Sequence, residues 1–112
     1  MKRGEIWTLQ DDRYASKARP VVIVQSDHTD FDSVILCLLT SFDRPDTPSR
    51  IVVDPDQANG LKKTSYVMVD KLLTVRQEEL GVRIGTLTDG QMRAVSGALA
   101  QVLAITAGDV PS

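Results

Sequence analysis

Short apolar runs separated by polar turns fill most of the chain and predict β-strands. The runs are Ile6–Leu9, Pro20–Val24, Ser33–Leu39, Ile51–Val53, Tyr66–Val69 and Val82–Leu87. Two of them, Pro20–Val24 and Ser33–Leu39, are almost continuously apolar, which is typical of strands buried on both faces. The segment from Gln10 to Ala18 has no apolar periodicity, so we expect an exposed loop there, and the proline-containing stretch from Phe42 to Arg50 predicts a second loop.

A change of period near the C-terminus predicts one long helix. Thr88 and Gln91 have the spacing of a capping box. Apolar residues then recur at steps of three and four, at Met92, Val95, Leu99, Val102 and Ile105. This pattern predicts an amphipathic helix from about Asp89 to Ala107 that lays one apolar stripe on a sheet.

A shorter helix is predicted before the last strand. Thr74 stands three residues before Gln77, again the capping-box spacing, and Gly81 supplies a stop signal. Val75–Leu80 is therefore expected to form one or two helical turns.

The order of these elements indicates a mainly β fold. Five to seven short strands followed by one terminal helix predict a small closed or half-closed barrel. A parallel α/β sheet is disfavoured because helices do not alternate with the strands. The length of 112 residues, 42% of them hydrophobic, fits one domain with a real core, which we place at residues 1–107 with a flexible tail at 108–112.

Composition and charge restrict the class of function. The net charge is −2, so any nucleic-acid binding has to come from a local positive patch. Cys37 is the only cysteine and lies in an apolar run, so we expect a buried thiol and exclude an intramolecular disulfide. The N-terminus lacks the apolar core of a signal peptide, and no apolar run approaches the roughly 20 residues of a membrane span. A cytoplasmic protein is expected.

The residues of several common catalytic sites are missing. His28 is the only histidine, which excludes a two-histidine ribonuclease site, and we expect it to be a surface turn residue. No HExxH-like pair, calcium loop, Walker loop or dinucleotide glycine pattern occurs. We therefore expect no catalytic metal and no cofactor.

Polar residues stand where the two most apolar strands begin and end. Arg19 joins a cationic loop to Pro20–Val24, which would hold its guanidinium on a rigid platform. That planar group matches phosphate oxygens and stays charged. Thr40 and Ser41 follow Ser33–Leu39, and their hydroxyls can hold a phosphate oxygen at the same end if the strands pair. The plainer alternatives are an ion pair for Arg19 and a turn cap for the hydroxyls.

In this order, the segments resemble the MazF/PemK family of small bacterial toxins. The resemblance rests on Lys2–Trp7, Arg19–Gln25, Leu39–Ser41, Gly60–Leu61, Ser65–Asp70, Leu73–Val75 and Gly85–Thr88, and it covers roughly residues 2 to 106. It implies an SH3-like antiparallel barrel with a short helix and a C-terminal amphipathic helix, assembled as a homodimer. It also implies sequence-specific, metal-independent cleavage of single-stranded RNA at short sequences and inhibition by a cognate antitoxin.

The same resemblance assigns site residues. Arg19 matches the catalytic arginine of the family, Thr40 its strand-end threonine, Asp70 the catalytic aspartate of a plasmid-encoded member, and Ser16 a loop serine. Cleavage would proceed by attack of the 2′-OH and leave 2′,3′-cyclic phosphate and 5′-OH ends. RNA contacts are expected from Lys17, Ser41, Arg13, Lys62, Lys63 and Lys71, with Lys2 and Arg3 as further members of a positive patch.

Two other functions fit the same fold. One is a non-catalytic toxin, such as a CcdB-like poison of DNA gyrase, and the other is an inactive barrel that serves as an interaction module. Neither needs a catalytic arginine. The combination of Arg19 with Thr40 therefore favours the ribonuclease.

Overall fold

Six antiparallel strands and a C-terminal helix form the fold. The computed structural model describes residues 1–11, 15–42, 50–106 and 108. Within these ranges the strands are β1 (Glu5–Asp11), β2 (Ala15–Ile23), β3 (Ser33–Thr40), β4 (Arg50–Val53), β5 (Ser65–Arg76) and β6 (Leu80–Thr86). A one-turn 3-10 helix at Gln77–Glu79 joins β5 to β6, and helix α1 spans Asp89–Val102.

The strands make one sheet whose two edges are not paired with each other. Their order is β4-β5-β3-β2-β1-β6, and all neighbours are antiparallel. The segment after β4 reaches the opposite edge, where the Ala58 carbonyl accepts a hydrogen bond of 2.9 Å from the backbone N–H of Thr86. The mainly β architecture is confirmed, and of the two barrel forms predicted, the sheet adopts the open one.

The apolar runs of the two central strands, β2 and β3, are buried on both faces, as their continuous apolar sequences predict. One face packs against α1 in a cluster that contains Val22, Cys37, Leu39, Val67, Met92 and Val95. The other face packs into a second cluster, with Val21, Ile23, Leu36, Val75 and Leu80. Burying each such side chain contributes about 1.5–3 kcal/mol, so β2 and β3 are the most firmly held part of the sheet.

Helix α1 begins as predicted and ends earlier than predicted. The Thr88 hydroxyl accepts from the Gln91 backbone N–H at 3.1 Å, and the Gln91 side chain accepts from the Thr88 N–H at 2.8 Å. The helix stops at Val102, and Ala104 then takes a φ of 56°, a left-handed conformation common after helix ends. The predicted end at Ala107 lies outside the described residues, as does most of the predicted tail.

The early end of α1 shortens its buried stripe. Met92 and Val95 are buried, whereas Val102 and Ile105 are 45% and 44% exposed. Only the first half of the predicted stripe therefore packs on the sheet of this chain. Within the described residues, no helix has the length and hydrophobicity needed to cross a bilayer.

The helix predicted at Val75–Leu80 forms only as the one-turn 3-10 helix at Gln77–Glu79, so its predicted start is wrong. Strand β5 continues to Arg76, because Val75 pairs with Val34 across the sheet and is buried in the second cluster. This long-range packing overrides the local capping signal. The cap forms two residues later, where the Glu79 carboxylate accepts from the Arg76 backbone N–H at 2.9 Å.

The predicted loop from Gln10 to Ala18 is also too long. β1 extends to Asp11 and β2 begins at Ala15, and these two residues pair across a hairpin. The strands therefore extend into a polar stretch that lacks the apolar periodicity by which strands were predicted.

The turn after β4 packs closely against strand β6 at the edge of the sheet. Asn59 is fully buried, and its side-chain carbonyl accepts from the N–H groups of Asp56 (3.1 Å) and Leu61 (3.0 Å). Gly60 has a φ of +68°, as the predicted Asn59-Gly60 turn requires. A Cβ on Gly85 would overlap the backbone of Asn59, so this contact needs glycine.

Gly85→Ala is expected to lower the free energy of unfolding by about 1–3 kcal/mol, because the added methyl group meets backbone that cannot move aside. Gly97→Ala is the matched control: it lies in α1 with no atom within 4 Å of the new Cβ, so it should stabilise the protein by about 0.5–1 kcal/mol. Urea denaturation measures both. Wild-type stability in Gly85→Ala would contradict the close packing.

The Cys37 thiol is buried, as predicted, and burial raises its pKa to about 12. Native protein should therefore resist iodoacetamide at pH 8, since the thiolate is the reactive form. In protein unfolded with urea the thiol should be alkylated rapidly, and mass spectrometry measures the extent of alkylation in both samples. Fast labelling of native protein would show that this part of the core opens readily.

Candidate active site

The pairing of β2 with β3 brings the two most distinctive polar residues together. Val21 pairs with Leu38 and Val22 with Cys37. Continuing this antiparallel register by two residues places Arg19 opposite Thr40. Both side chains line the same open depression at this end of the sheet. The polar residues that begin the apolar run of β2 and end β3 therefore lie together, as the sequence predicted.

The depression consists of two adjoining grooves that share Arg19 and Thr40. The first, which we call the lysine groove, has a volume of about 480 Å³ and includes Lys17, Ser41, Lys62 and Lys63. The second, the bulge groove, has a volume of about 510 Å³ and includes Arg50, Met68, Asp70 and Lys71. Arg19 and Thr40 therefore stand at the centre of a continuous surface.

A β-bulge in β5 delivers Asp70 and Lys71 to the bulge groove. Cys37 of β3 pairs with Leu72, but the next residue, Leu38, pairs with Met68, which leaves three residues of β5 unmatched. Of these, Val69 turns into the core, whereas Asp70 and Lys71 are exposed. The Lys71 ammonium lies 3.4 Å from the Asp70 carboxylate. Bulges commonly redirect side chains in this way next to functional sites.

The Thr40 hydroxyl has a structural role as well as a position in both grooves. It accepts a hydrogen bond of 3.1 Å from the backbone N–H of Phe42 and so caps the turn after β3. Capping a turn is the role that the sequence analysis gave as the alternative to phosphate binding for this hydroxyl. The bond uses a lone pair of the oxygen and fixes the side chain, while the O–H can still donate towards the grooves.

The two grooves carry a strong excess of positive charge. Their cationic lining residues are Lys17, Arg19, Arg50, Lys62, Lys63 and Lys71, against the single carboxylate of Asp70 among the described residues. The whole chain has a net charge of −2, so this surface is the local positive patch that nucleic-acid binding would require.

Arg3 does not belong to this patch. Its guanidinium donates to the Val24 carbonyl and to the Ser96 hydroxyl on α1, so it ties the N-terminus to the helix. Lys2 likewise lines neither groove. The inclusion of these two residues in the positive patch is wrong.

The Glu5 carboxylate explains much of the N-terminal motif in structural terms. It accepts from the Lys2 backbone N–H at 2.9 Å and from the Trp7 indole at 3.1 Å, and it lies 3.3 Å from the Arg83 guanidinium. Burial alone would raise the pKa of Glu5, but these partners outweigh it, and the net pKa lies below its ordinary value.

The structure describes three further predicted residues to different extents. Arg13 falls outside the described residues. Ser16 lies in β2, in the strand that leads to Arg19, rather than in a loop. His28 is exposed in the turn between β2 and β3, as predicted.

Arg50 is a groove residue that the sequence analysis missed. It opens β4, pairs with Met68 on β5, and lines the bulge groove. Its sequence context is a basic residue directly before the apolar run Ile51–Val53, the same signal that singled out Arg19. Assigning it to the preceding loop concealed that signal.

The described residues offer no evident metal site. Nowhere among them do three histidine, cysteine, aspartate or glutamate side chains come close enough to hold a metal ion. Asp70 is the acidic member of the grooves, and its neighbour is the Lys71 ammonium. The chemistry that the surface can offer is thus that of fixed cations, a hydroxyl and one carboxylate facing an anionic ligand.

Sequence comparison relates nearly the whole chain to one protein family. Residues 2–103 match the family described as PemK-like, MazF-like toxin of type II toxin-antitoxin system. The chain is also 36% identical over 109 residues to the probable endoribonuclease MazF of Mycolicibacterium smegmatis, which covers 94% of this chain and 98% of the relative.

Solved structures give the same relationship. An endoribonuclease in complex with its cognate antitoxin, from a mycobacterial species, superposes with a TM-score of 0.78 at 29% identity, covering 95% of this chain and 97% of the other. The Mycobacterium tuberculosis toxin MazF-mt6 gives a TM-score of 0.76 at 28% identity, covering 91% and 98%. The half-open sheet with its C-terminal helix is the fold that these proteins share.

Proposed function

The chain belongs to the PemK-like, MazF-like toxin family of type II toxin–antitoxin systems, and we propose that it is a metal-independent endoribonuclease that cleaves single-stranded RNA. One observation carries the proposal: Arg19 and Thr40 together line both grooves of a cationic surface on a protein of net negative charge. The endoribonuclease names of its relatives support the same activity.

In the proposed reaction, RNA supplies its own nucleophile. The 2′-OH attacks the adjacent phosphorus as the bond to the 5′ oxygen breaks, which leaves a 2′,3′-cyclic phosphate and a 5′-OH. A base takes the 2′ proton, and a proton is delivered to the departing 5′ oxygen. Asp70 is our candidate base, because its carboxylate lines the same groove as Arg19.

Arg19 and Thr40 stabilise the charge that develops on the phosphate. The Arg19 guanidinium offers several N–H donors in a fixed plane, and β2 holds its backbone in place. The Thr40 hydroxyl, already oriented by its bond from the Phe42 N–H, donates to a non-bridging oxygen. Because these donors are preorganised, the stabilisation requires no metal ion. Ser16 is a weaker candidate for the same task.

RNA binding outside the scissile phosphate falls to the remaining groove residues. Lys17, Lys62 and Lys63 present flexible ammonium groups to the backbone phosphates, and Ser41 offers a hydroxyl. Arg13 and Lys71 complete the proposed contact set. Any base specificity has to be read on unstacked bases, because side chains do not enter the deep groove of A-form RNA.

We further propose that a cognate antitoxin occupies this cationic surface and blocks it. The solved complex of a mycobacterial relative with its antitoxin supports such a partner. Val102, Leu103 and Ile105 at the end of α1 are exposed and apolar in the single chain, which supports the expected homodimer. The substrate places the protein in the cytoplasm.

Arg19→Ala is expected to lower RNA cleavage by at least about 10²–10³-fold and to relieve growth arrest, because it removes the central charged donor. Arg93→Ala, on α1 and outside both grooves, is the matched control and should cleave like wild type. Cleavage of a single-stranded RNA in EDTA measures the effect, with circular dichroism as the check on folding.

Three results would count against the proposal. Full activity in a folded Arg19→Ala protein would show that Arg19 is not needed for cleavage. Cleavage by the wild type only when a divalent metal is restored would contradict the metal-independent chemistry. Growth arrest without any RNA cleavage would favour the non-catalytic toxin.

A further inference from the structure

Arg50 lines the bulge groove, and one of its side-chain nitrogens makes no hydrogen bond to the described residues. Its Nε is fully shielded from solvent and has no hydrogen-bond partner among the described residues. A buried N–H group without a partner is rare in folded proteins and calls for an explanation. One explanation is that the guanidinium is held in readiness for a ligand that the single chain lacks.

The charges around Arg50 favour an anionic ligand. The carboxylate of the same groove, on Asp70, is engaged by the Lys71 ammonium at 3.4 Å. No ion pair to Arg50 occurs in the part of the chain that the structure describes. Among the described residues, the Arg50 guanidinium thus lines the groove without an acidic partner, and a planar cation of this kind is well suited to a phosphate.

The position of Arg50 also distinguishes it from Arg19. Arg50 begins β4 and pairs with Met68, two residues before Asp70 on β5. Arg50 lines the bulge groove but not the lysine groove, whereas Arg19 lines both grooves. A strand of RNA centred on Arg19 thus meets Arg50 on the Asp70 side and the lysines on the other side.

We infer that Arg50 binds the RNA phosphate on the 5′ side of the nucleotide whose 2′-OH attacks. This inference rests on the proposed function and on Asp70 as its base. A base in the bulge groove requires the attacking 2′-OH to lie there, so the nucleotide that carries it occupies that groove. The next phosphate beyond it is its 5′ phosphate, and Arg50 is the cation on that side that has no ion pair among the described residues. The 3′ portion of the RNA then follows the lysine groove.

The test combines a residue change with a change in the RNA. Arg50→Met keeps much of the side-chain volume and removes the charge, and Arg93→Ala is the control outside the grooves. Binding is measured with an RNA oligonucleotide that contains a 2′-deoxy nucleotide at the mapped cleavage position. Two further oligonucleotides each carry one uncharged methylphosphonate. In the first it replaces the phosphate on the 5′ side of the attacking nucleotide, and in the second it replaces the phosphate on the 3′ side of the nucleotide that follows the cleavage site.

Arg50→Met is expected to weaken binding by about 10- to 100-fold, the size of a lost charge-assisted hydrogen bond. The slope of log Kd against log salt should fall by about 0.7, as for one lost phosphate contact on a single strand. The methylphosphonate on the 5′ side should weaken wild type and leave Arg50→Met unaffected. The methylphosphonate on the 3′ side should weaken both proteins equally.

The measurements distinguish a purely structural role of Arg50 from a failure of the proposed ribonuclease function. A purely structural Arg50 would lower the stability of Arg50→Met without changing the salt slope or the response to either methylphosphonate, and this would overturn the inference. Arg50→Lys, which retains the charge, should keep the salt slope even if the methionine variant folds poorly. Sensitivity shifted to the 3′ methylphosphonate would overturn the strand direction. Wild-type protein that neither binds nor cleaves RNA would overturn the proposed function as well.

Discussion

The antiparallel pairing of β2 with β3 is the constraint on which the site depends. The apolar runs of both strands are buried on both faces, so their register is fixed by two packed clusters. A slip of one residue would turn every side chain to the opposite face and separate Arg19 from Thr40. The core thus does more than stabilise the chain: it sets the relative position of a guanidinium and a hydroxyl at one end of the sheet.

Around that fixed pair, two irregular features supply the rest of the surface. The bulge in β5 turns Asp70 and Lys71 outward from a strand whose residues from Ser65 to Val69 are buried or half-buried. The turn built on buried Asn59 holds Leu61, Lys62 and Lys63 beside the other groove. The result is a concentrated positive surface on a protein of net charge −2, which favours an extended anionic ligand.

Local sequence pattern accounts for much of this arrangement, and pairing at long range accounts for the remainder. Apolar runs predicted the strands, and the Thr88–Gln91 box predicted the start of α1, because both signals lie within a few residues. The bulge at Asp70 was not predictable, since it depends on which residues of β3 face β5. For the same reason Val75 joins a strand despite a helical capping signal, and Arg50 was concealed in a polar stretch. The family resemblance, not spacing, suggested Asp70.

The central claim is that the RNA's own 2′-OH attacks the phosphate held by Arg19. The most direct measurement compares an RNA oligonucleotide containing the mapped cleavage site with the same molecule carrying a single 2′-deoxy nucleotide at the attacking position. The account predicts that the substitution abolishes cleavage at that bond while binding persists. Cleavage of the substituted bond at an undiminished rate would contradict it, because the nucleophile would then have to be water or a side chain.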